Sequence, residues 1–334
     1  ACELFGMYSD SEHFIEMATK WQEKHGGKAG YREMVYGDDY DEYGYYADWD
    51  VKGIMFNNAA PSQSHNLSIS GNSGKTNYYM SFNWSQKQGI MNFNPDKLQK
   101  YNATVNVTTQ ATKWLEIGAR FNLNDRIYDY PYVRGQGSYT YVWRWGSYFG
   151  PYGYFNIDGK NYDGRQMIGF RKQGGDAYKK RMNIRTGANM KITFCKGFTL
   201  NADYTFTYRT TRYKGIGTRE DLVGTWSTQG ATPTHGSISS TDFIETDRSF
   251  YYQHTLNAYL NYNATWKDAH HFNVMVGMNM DKDEYEYLYY ERHDVQDFNL
   301  PELALCATDY NYEHSHSHTG SIGVFGRINY DYKG

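Results

Sequence analysis

The sequence lacks features that define several common classes of protein. No run approaches the roughly 18 apolar residues that a transmembrane helix needs. The formal net charge of −3 gives no basic excess, which argues against a nucleic-acid partner. The three cysteines, Cys2, Cys195 and Cys306, are widely spaced and form no CxxC pair. Neither a disulfide framework nor a cysteine zinc site is therefore predicted.

Sequence patterns typical of enzyme active sites are also absent. The patterns GxSxG, HExxH and the P-loop do not occur, and the glycine-rich runs lie in predicted loops without a following helix. Carboxylates are frequent along the chain, but no pair of them has a spacing that identifies it as catalytic. We therefore predict that the protein is not an enzyme, and we predict no cofactor or metal.

Aromatic residues, by contrast, are abundant. They make up 18% of the chain, with 35 Tyr and 8 Trp, which is more than the core of a soluble domain requires. Tyr and Trp combine an apolar ring with a polar tip, so they suit a membrane interface or a sugar-binding surface.

The most regular pattern is an alternation that runs from Ser249 to Trp266. Apolar and aromatic residues occupy the even positions and mostly polar residues the odd ones, and a period of two is the side-chain repeat of a β-strand. Strands of soluble domains usually contain about 5 or 6 residues, whereas a tilted membrane-spanning strand needs roughly 9 to 11. The even face is uncharged and has aromatic residues near both ends, as a lipid-facing strand would.

Eight further stretches alternate in the same way, so we predict about nine strands. Glu116 and Arg120 lie in mid-strand on the side opposite the apolar residues, which is acceptable if that side faces a wet barrel lumen. The fold class predicted is all-β, an antiparallel transmembrane β-barrel segment that forms part of a large plugged barrel. The additional stretches cover residues 67–69, 78–84, 101–107, 115–123, 184–192, 200–208, 272–280 and 322–332.

Short and long connections alternate between the predicted strands. Long extracellular loops are expected at residues 126–181, 210–248 and 282–318, with short turns between them. Such segregation is typical of antiparallel strands that cross a membrane. The predicted organisation is therefore a loop region over residues 1–62 followed by a partial transmembrane barrel over residues 63–334.

The loop region is predicted to contain one short amphipathic helix. Phe14, Ala18 and Trp21 have helical spacing within the segment from Ser11 to His25, and Gly26 follows as a stop signal. The acidic stretch after it contains Asp38, Asp39, Asp41 and Glu42, which could bind calcium. It lacks the glycine and the final glutamate of an EF-hand, so a solvated loop is the preferred interpretation.

Two stretches of the predicted strands contain distinctive motifs. Asn66 to Ile90 reads NLSISGNSGKTNYYMSFNWSQKQGI, and Ser321 to Lys333 reads SIGVFGRINYDYK. The first is similar to a hairpin of the form NxSxSGG followed by KTxYYxS, and the second to a strand of the form GxFGRxNYxYK. Both forms belong to the SusC/RagA family of TonB-dependent outer-membrane transporters, which the chain therefore resembles. Asn72, Trp84 and Thr104 are mild departures from the family pattern.

The resemblance implies a bacterial outer-membrane importer of bulky nutrients, most often oligosaccharides and sometimes peptides. Such transporters form a plugged barrel of about 22 strands, draw energy through TonB and work with a SusD-like lipoprotein at the extracellular mouth. Outer-membrane lipid is then a further partner. We expect this chain to be a fragment or processed product, a middle portion of the barrel without plug, signal peptide or TonB-contacting segment.

Two other classes of protein remain open from the sequence. A secreted all-β glycan-binding module or glycosidase would also be rich in strands and aromatic residues. A passive porin or adhesin barrel would keep the fold but lose the energy coupling.

Candidate ligand-binding residues lie in the predicted long loops. Aromatic rings stack on the apolar faces of sugars, and neighbouring glycines let a backbone approach a ligand closely. These aromatic residues could equally pack the loop on itself or bind the lipoprotein. The candidates are Tyr141, Trp143, Trp145, Tyr148, Tyr152 and, in the next loop, Trp226.

The histidines at positions 314, 316 and 318 would share one face of a strand. His314, His316 and His318 could present imidazoles to a metal. The serines between them provide no ligand, and no carboxylate pair is close in sequence, so a solvated loop is preferred.

Overall fold

The structure is a computed structural model, and it describes residues 11–34, 46–132, 153–164, 167–219, 221–223, 235–237 and 242–333. Within these residues, no helix has both the length and the apolar character needed to cross a membrane.

The dominant element is one antiparallel sheet of nine strands in which every strand pairs with its neighbours along the chain. This confirms the predicted all-β fold class. The strands are β2 (Ser62–Ser73), β3 (Thr76–Gln88), β4 (Lys97–Gln110), β5 (Leu115–Pro131), β8 (Asp176–Cys195), β9 (Phe198–Gly217), β12 (Phe243–Trp266), β13 (His270–Val295) and β14 (Cys306–Tyr332).

Several strands extend further than the alternation predicts. Much of the connection expected at 282–318 is strand, because β13 continues to Val295 and β14 begins at Cys306. The connections expected at 126–181 and 210–248 are shortened in the same way, at Pro131, Asp176, Gly217 and Phe243. In these extensions both faces carry polar, charged or aromatic residues, so the apolar alternation disappears although the pairing continues.

All short turns of the sheet join strands at the same end of the sheet, which we call the short-turn end. Two of these turns use glycines in the left-handed region, Gly74 (φ 61°) and Gly197 (φ 81°), and a third has Lys267 and Asp268 at φ 51°. The opposite end of the sheet, the long-connection end, carries the described residues before β2 and the described parts of the other connections.

The N-terminal segment packs with these connections into a separate layer at the long-connection end. The helix α1 (Ser11–His25) has the predicted bounds. A second helix, α2 (Val51–Met55), was not predicted, since five residues are too few to show a period. The strand β1 (Glu33–Met34) pairs in parallel with β6 (Tyr154–Ile157), and β6 pairs with β7 (Lys160–Asp163). The remaining short elements are α3 (Met167–Gln173), β10 (Asp221–Val223) and β11 (His235–Ser237).

Apolar burial is concentrated in this layer and at the adjoining strand ends. Trp21, Phe155 and Val223 belong to one buried cluster, which joins α1, β6 and β10. Met55 and Ile168 belong to a second cluster, which joins α2 and α3. In the middle of the sheet many large apolar side chains remain exposed on one face, so that face is not covered by any described part of this chain.

Two polar anchors hold α3 in the layer. Arg171 is 1% exposed and donates from Nε to the carbonyl of Phe93 (2.8 Å) and from Nη2 to that of Asn94 (2.6 Å). Asp163 accepts hydrogen bonds from Tyr31 Oη (2.7 Å) and Lys172 Nζ (2.8 Å). These contacts tie α3 to the β3–β4 connection and to the N-terminal segment.

Candidate functional site

The register of the sheet divides its side chains into two faces of opposite character. Residues that share a face with Leu256, here called the apolar face, carry no formal charge on β12 from Phe250 to Trp266. The partners of Leu256 on the neighbouring strands are Tyr204 and Met280. The same face of β9 is uncharged from Phe198 to Thr210, and that of β13 from Phe272 to Met280.

The height of this uncharged region matches a membrane. Tyr252 and Tyr262 mark its aromatic borders on β12, and Tyr208 and Phe198 are their partners on β9. Ten residues rise about 34 Å along a strand, or about 25 Å along the normal for a strand tilted by roughly 40°. An apolar band of about 25 Å between aromatic girdles is typical of the outer surface of a transmembrane barrel.

The opposite face, here called the polar face, contains Thr255 and its partners. Asparagine amides bond across strands in a row, with Asn124 donating to Asn102 (2.5 Å) and Asn102 to Asn83 (3.4 Å). Further along the sheet, Thr255 donates to Asp281 (2.6 Å) and Thr319 to Asp283 (2.5 Å). This face is therefore suited to contact with water or with a polar solute.

An ion pair crosses the centre of the polar face. Arg120 on β5 donates from Nη2 to Asp203 and to Oγ1 of Thr205 (3.1 Å), both on β9. Gly187 on the intervening strand β8 is the register partner of both Arg120 and Thr205. Because Gly187 has no side chain, the arginine can lie across β8, and mid-strand charge is accommodated as the sequence predicts.

A shallow depression of about 380 Å³ surrounds this ion pair. Its lining combines hydroxyl, amide, guanidinium and carboxylate groups from four neighbouring strands, and it contains no apolar residue. It is lined by Arg120, Asn122, Arg185, Asp203, Thr205, Thr207, Gln253, Thr255 and Asn257. The depression is therefore a polar candidate contact surface.

Charge on the polar face is divided by strand. From β3 to β8 the formally charged residues are cationic, except Glu116, and from β12 to β14 they are anionic, except Arg327. The intervening strand β9 carries Asp203 and Arg209. The cationic side comprises Lys87, Lys100, Arg120, Arg126, Lys179, Arg181, Arg185 and Lys191, and the anionic side comprises Glu245, Asp247, Asp281, Asp283, Glu291, Glu313 and Asp331.

The anionic side ends in a hydrogen-bonded cluster near the long-connection end. Tyr213 donates to Glu245 (2.6 Å), and Tyr289 lies 3.2 Å from Glu245 and 2.8 Å from Glu291. Nε2 of His293 is 2.8 Å from Glu291. Burial, followed by the bonds to the carboxylates, raises the pKa of both tyrosine phenols, so they remain protonated donors at neutral pH.

The candidate residues from the sequence have different outcomes. Tyr141, Trp143, Trp145, Tyr148, Tyr152 and Trp226 lie outside the described residues, as do Asp38, Asp39, Asp41 and Glu42.

The three histidines lie on β14, on the same side of the sheet as the apolar face, and were expected in a loop. His316 Nε2 is 3.1 Å from Glu284, and His314 Nε2 is 3.6 Å from Glu286. No group of His, Cys, Asp or Glu in the described part of the chain could hold a metal ion.

Sequence reasoning did not identify the charge division of the polar face. Single strands such as β8 show the signal, since Lys179, Arg181 and Arg185 share one parity. The strand pairing is required to see that the opposite sign occupies β12 to β14.

Comparison with solved structures finds the same fold in the RagAB peptide transporter. A chain of that transporter matches with a TM-score of 0.63 at 16% identity, over 84% of this chain and 31% of its own length. The RagAB peptide importer in its closed-closed state gives a TM-score of 0.64 at 17% identity, over 86% of this chain and 32% of the other. This chain thus spans about a third of the structures it matches. No family model and no curated protein matches it.

Proposed function

We propose that the chain forms part of the barrel wall of a SusC/RagA-type, TonB-dependent nutrient importer of the bacterial outer membrane. The observation that carries this proposal is the pairing of an uncharged band, about 25 Å high on β9 and β12, with a polar opposite face. The shared fold with the RagAB structures supports it. The chain contributes wall and contact surface, and no covalent chemistry is assigned to it.

The orientation follows from the two ends of the sheet. Short turns face the periplasm in outer-membrane barrels, and long connections face the outside. Residues 1–62 then belong to the extracellular layer, and residues 63–334 provide the wall strands with their connections.

The partners follow from this arrangement. A SusD-like surface lipoprotein would cover the extracellular layer, and TonB would act through a part of the protein outside this chain. The comparison structures are described as RagAB assemblies that transport peptides, which supports a two-component importer.

Oligosaccharides are the first substrate class proposed. The aromatic residues Tyr141, Trp143, Trp145, Tyr148, Tyr152 and Trp226 would stack on sugar rings. The test is glycan affinity of the complete complex carrying Trp143→Ala with Trp145→Ala. Unchanged affinity would remove this role for the two residues.

Peptides are the second substrate class, and the charge division of the polar face favours them. A peptide carries a carboxylate at one end and an ammonium group at the other. The cationic side, with Arg181 and Arg185, would receive the carboxylate, and the anionic side, with Asp281 and Asp283, would receive the ammonium group. A neutral glycan carries no charge that could pair with either side of the polar face.

The deciding experiment measures uptake of labelled glycans and labelled peptides by cells that express the complete protein. Importer function predicts saturable uptake that is lost without TonB, and recovery of the protein in the outer-membrane fraction only with detergent. Uptake that persists without TonB supports a passive porin instead. A freely soluble, compact protein would support the secreted glycan-binding module or glycosidase and would contradict the importer function.

A further inference from the structure

Three cationic side chains form a row across the sheet on the side of the apolar face. Arg212 on β9 pairs in register with Lys180 on β8 and with Arg248 on β12. Partners in register lie about 4.5 to 5.5 Å apart at Cα, so the three side chains are immediate neighbours. Arg212 and Arg248 are exposed and Lys180 is half-buried.

The row lies directly above the uncharged band. On each of the three strands it provides the first formal charge of this face after the apolar region, following Met182, Thr210 and Phe250. Arg248 is four residues beyond Tyr252, which is about 10 Å along the normal of a tilted strand. If the aromatic girdle marks the edge of the hydrocarbon, the cationic row lies at the depth of the lipid headgroups.

The neighbouring acidic side chains neutralise one member of the row, Lys180, and neither of the two arginines. Asp125 on β5 pairs with Lys180 at 3.0 Å. On β13, Glu286 and Glu284 contact His314 and His316 instead. Among the described residues, neither Arg212 nor Arg248 forms an ion pair or a side-chain hydrogen bond. Like charges directly opposite each other destabilise a sheet, so the arrangement calls for an anion from outside the chain.

We propose that Arg212 and Arg248 bind a phosphate group of a lipid headgroup in the outer leaflet of the membrane. Two guanidinium forks match phosphate oxygens with paired hydrogen bonds, and Lys180, which is paired with Asp125, borders the site. The acyl chains of the same lipid would then lie along the uncharged band below. The proposal rests on the outer-membrane placement of the proposed function, and it adds a lipid ligand that the transport role does not require.

The experiment uses the complete protein, purified in a neutral detergent and titrated with lipid A, a phosphorylated disaccharide lipid. Bound lipid is counted by native mass spectrometry. The double variant R212Q/R248Q should lower lipid A affinity by on the order of tenfold, because it removes two charge-assisted contacts to phosphate. R212K/R248K should recover part of the affinity, since the charge is kept and only the fork is lost.

A matched control is Arg209→Gln, which lies three residues before Arg212 on the same strand but on the polar face. It should leave lipid A binding unchanged. Removal of the phosphates from lipid A should likewise leave the affinity of R212Q/R248Q unchanged, because that variant no longer binds them. The proposed site would be overturned if the wild type and R212Q/R248Q, both folded, had equal affinity for lipid A. Inorganic phosphate that binds as tightly as lipid A would overturn the lipid assignment. Either result is compatible with the proposed importer function. A protein that is soluble without detergent would contradict that function itself.

Discussion

The side chain of Arg120 crosses strand β8 over Gly187 and contacts the carboxylate of Asp203 two strands away. A Cβ at position 187 would lie 2.7 Å from Nε of Arg120 and 3.1 Å from its Cγ, closer than ordinary contact allows. The side chain of Arg120 therefore occupies space that a Cβ at position 187 would take, and it would have to shift if a side chain were present there. The pair joins the cationic side of the polar face to the strand at which the charge division occurs.

The first prediction is that Gly187→Val uncouples Arg120 from Asp203. Both side chains are partly exposed, so a double-mutant cycle with Arg120→Gln and Asp203→Asn should give a coupling of about 0.5 to 1 kcal/mol. In the Gly187→Val background the coupling should fall to near zero. Free energies of unfolding in detergent provide the measurement. Equal coupling in both backgrounds would mean that Arg120 does not need the path over Gly187.

The second prediction tests which face meets lipid. Leu256 and Asn257 are adjacent on β12, near the middle of the uncharged band, and point to opposite faces. Leu256→Arg should cost about 2 to 4 kcal/mol of stability, as expected for an arginine at the membrane midplane, whereas Asn257→Arg should cost much less because it faces the lumen. The measurement is refolding into lipid vesicles at a series of denaturant concentrations. A larger cost for Asn257→Arg would reverse the two faces.

The alternation of single strands was enough to predict the all-β fold, because a sheet with one apolar face and one polar face imposes a period of two on each strand. The helix α1 was predicted with its observed bounds since Phe14, Ala18 and Trp21 have helical spacing and glycines follow. In both cases the information is local.

The strand extensions and the charge division could not be predicted from single strands. The extensions have two faces of similar polarity, and the charge division depends on which strands pair. Residues 282–295 carry Lys282, Glu284 and Glu286 on one face and Asp283, followed by tyrosines, on the other, so they lack the contrast between an apolar and a polar face from which the other strands were predicted. The charge division requires knowledge that Arg185 and Asp283 lie on the same face of different strands. The loop aromatics, including Trp143 and Trp145, remain predictions.

The third prediction concerns the pH dependence of the layer at the long-connection end. Burial would raise the pKa of Asp163, but hydrogen bonds from Lys172, Tyr31 and Gln173 outweigh it and hold the pKa below its ordinary value. A carboxylate with a lowered pKa stabilises the folded state above its ordinary pKa of about 3.9. This stabilisation is lost as the pH falls through the lowered value.

Asp163→Asn should therefore destabilise the layer by about 1 kcal/mol at neutral pH. The difference from wild type should shrink as the pH falls below roughly 4. Thermal unfolding followed by near-ultraviolet circular dichroism over this range provides the measurement. A difference that stays constant down to roughly pH 2 would show that the charge of Asp163 is not what matters.

The fourth prediction concerns the docking of α3 by Arg171. The guanidinium is 1% exposed and satisfies two carbonyls of the β3–β4 connection, those of Phe93 and Asn94. Arg171→Ala removes both donors and leaves a cavity between them, so local stability should fall by about 2 to 4 kcal/mol. Arg171→Lys should recover only part of this loss, because an ammonium group cannot reproduce the fork that reaches both oxygens.

Hydrogen exchange distinguishes this local effect from global unfolding. Arg171→Ala should raise exchange at residues 89–96 and 167–173 by tenfold or more while exchange in β12 and β13 stays unchanged, since local opening leaves the sheet intact. Arg219→Ala is the matched control at the same end of the molecule. Arg219 is 51% exposed and pairs with Asp242 at 3.2 Å, so its loss should cost at most about 1 kcal/mol. Similar exchange in the two alanine variants would show that α3 is held by its apolar contacts around Ile168, and that the buried arginine is dispensable for docking.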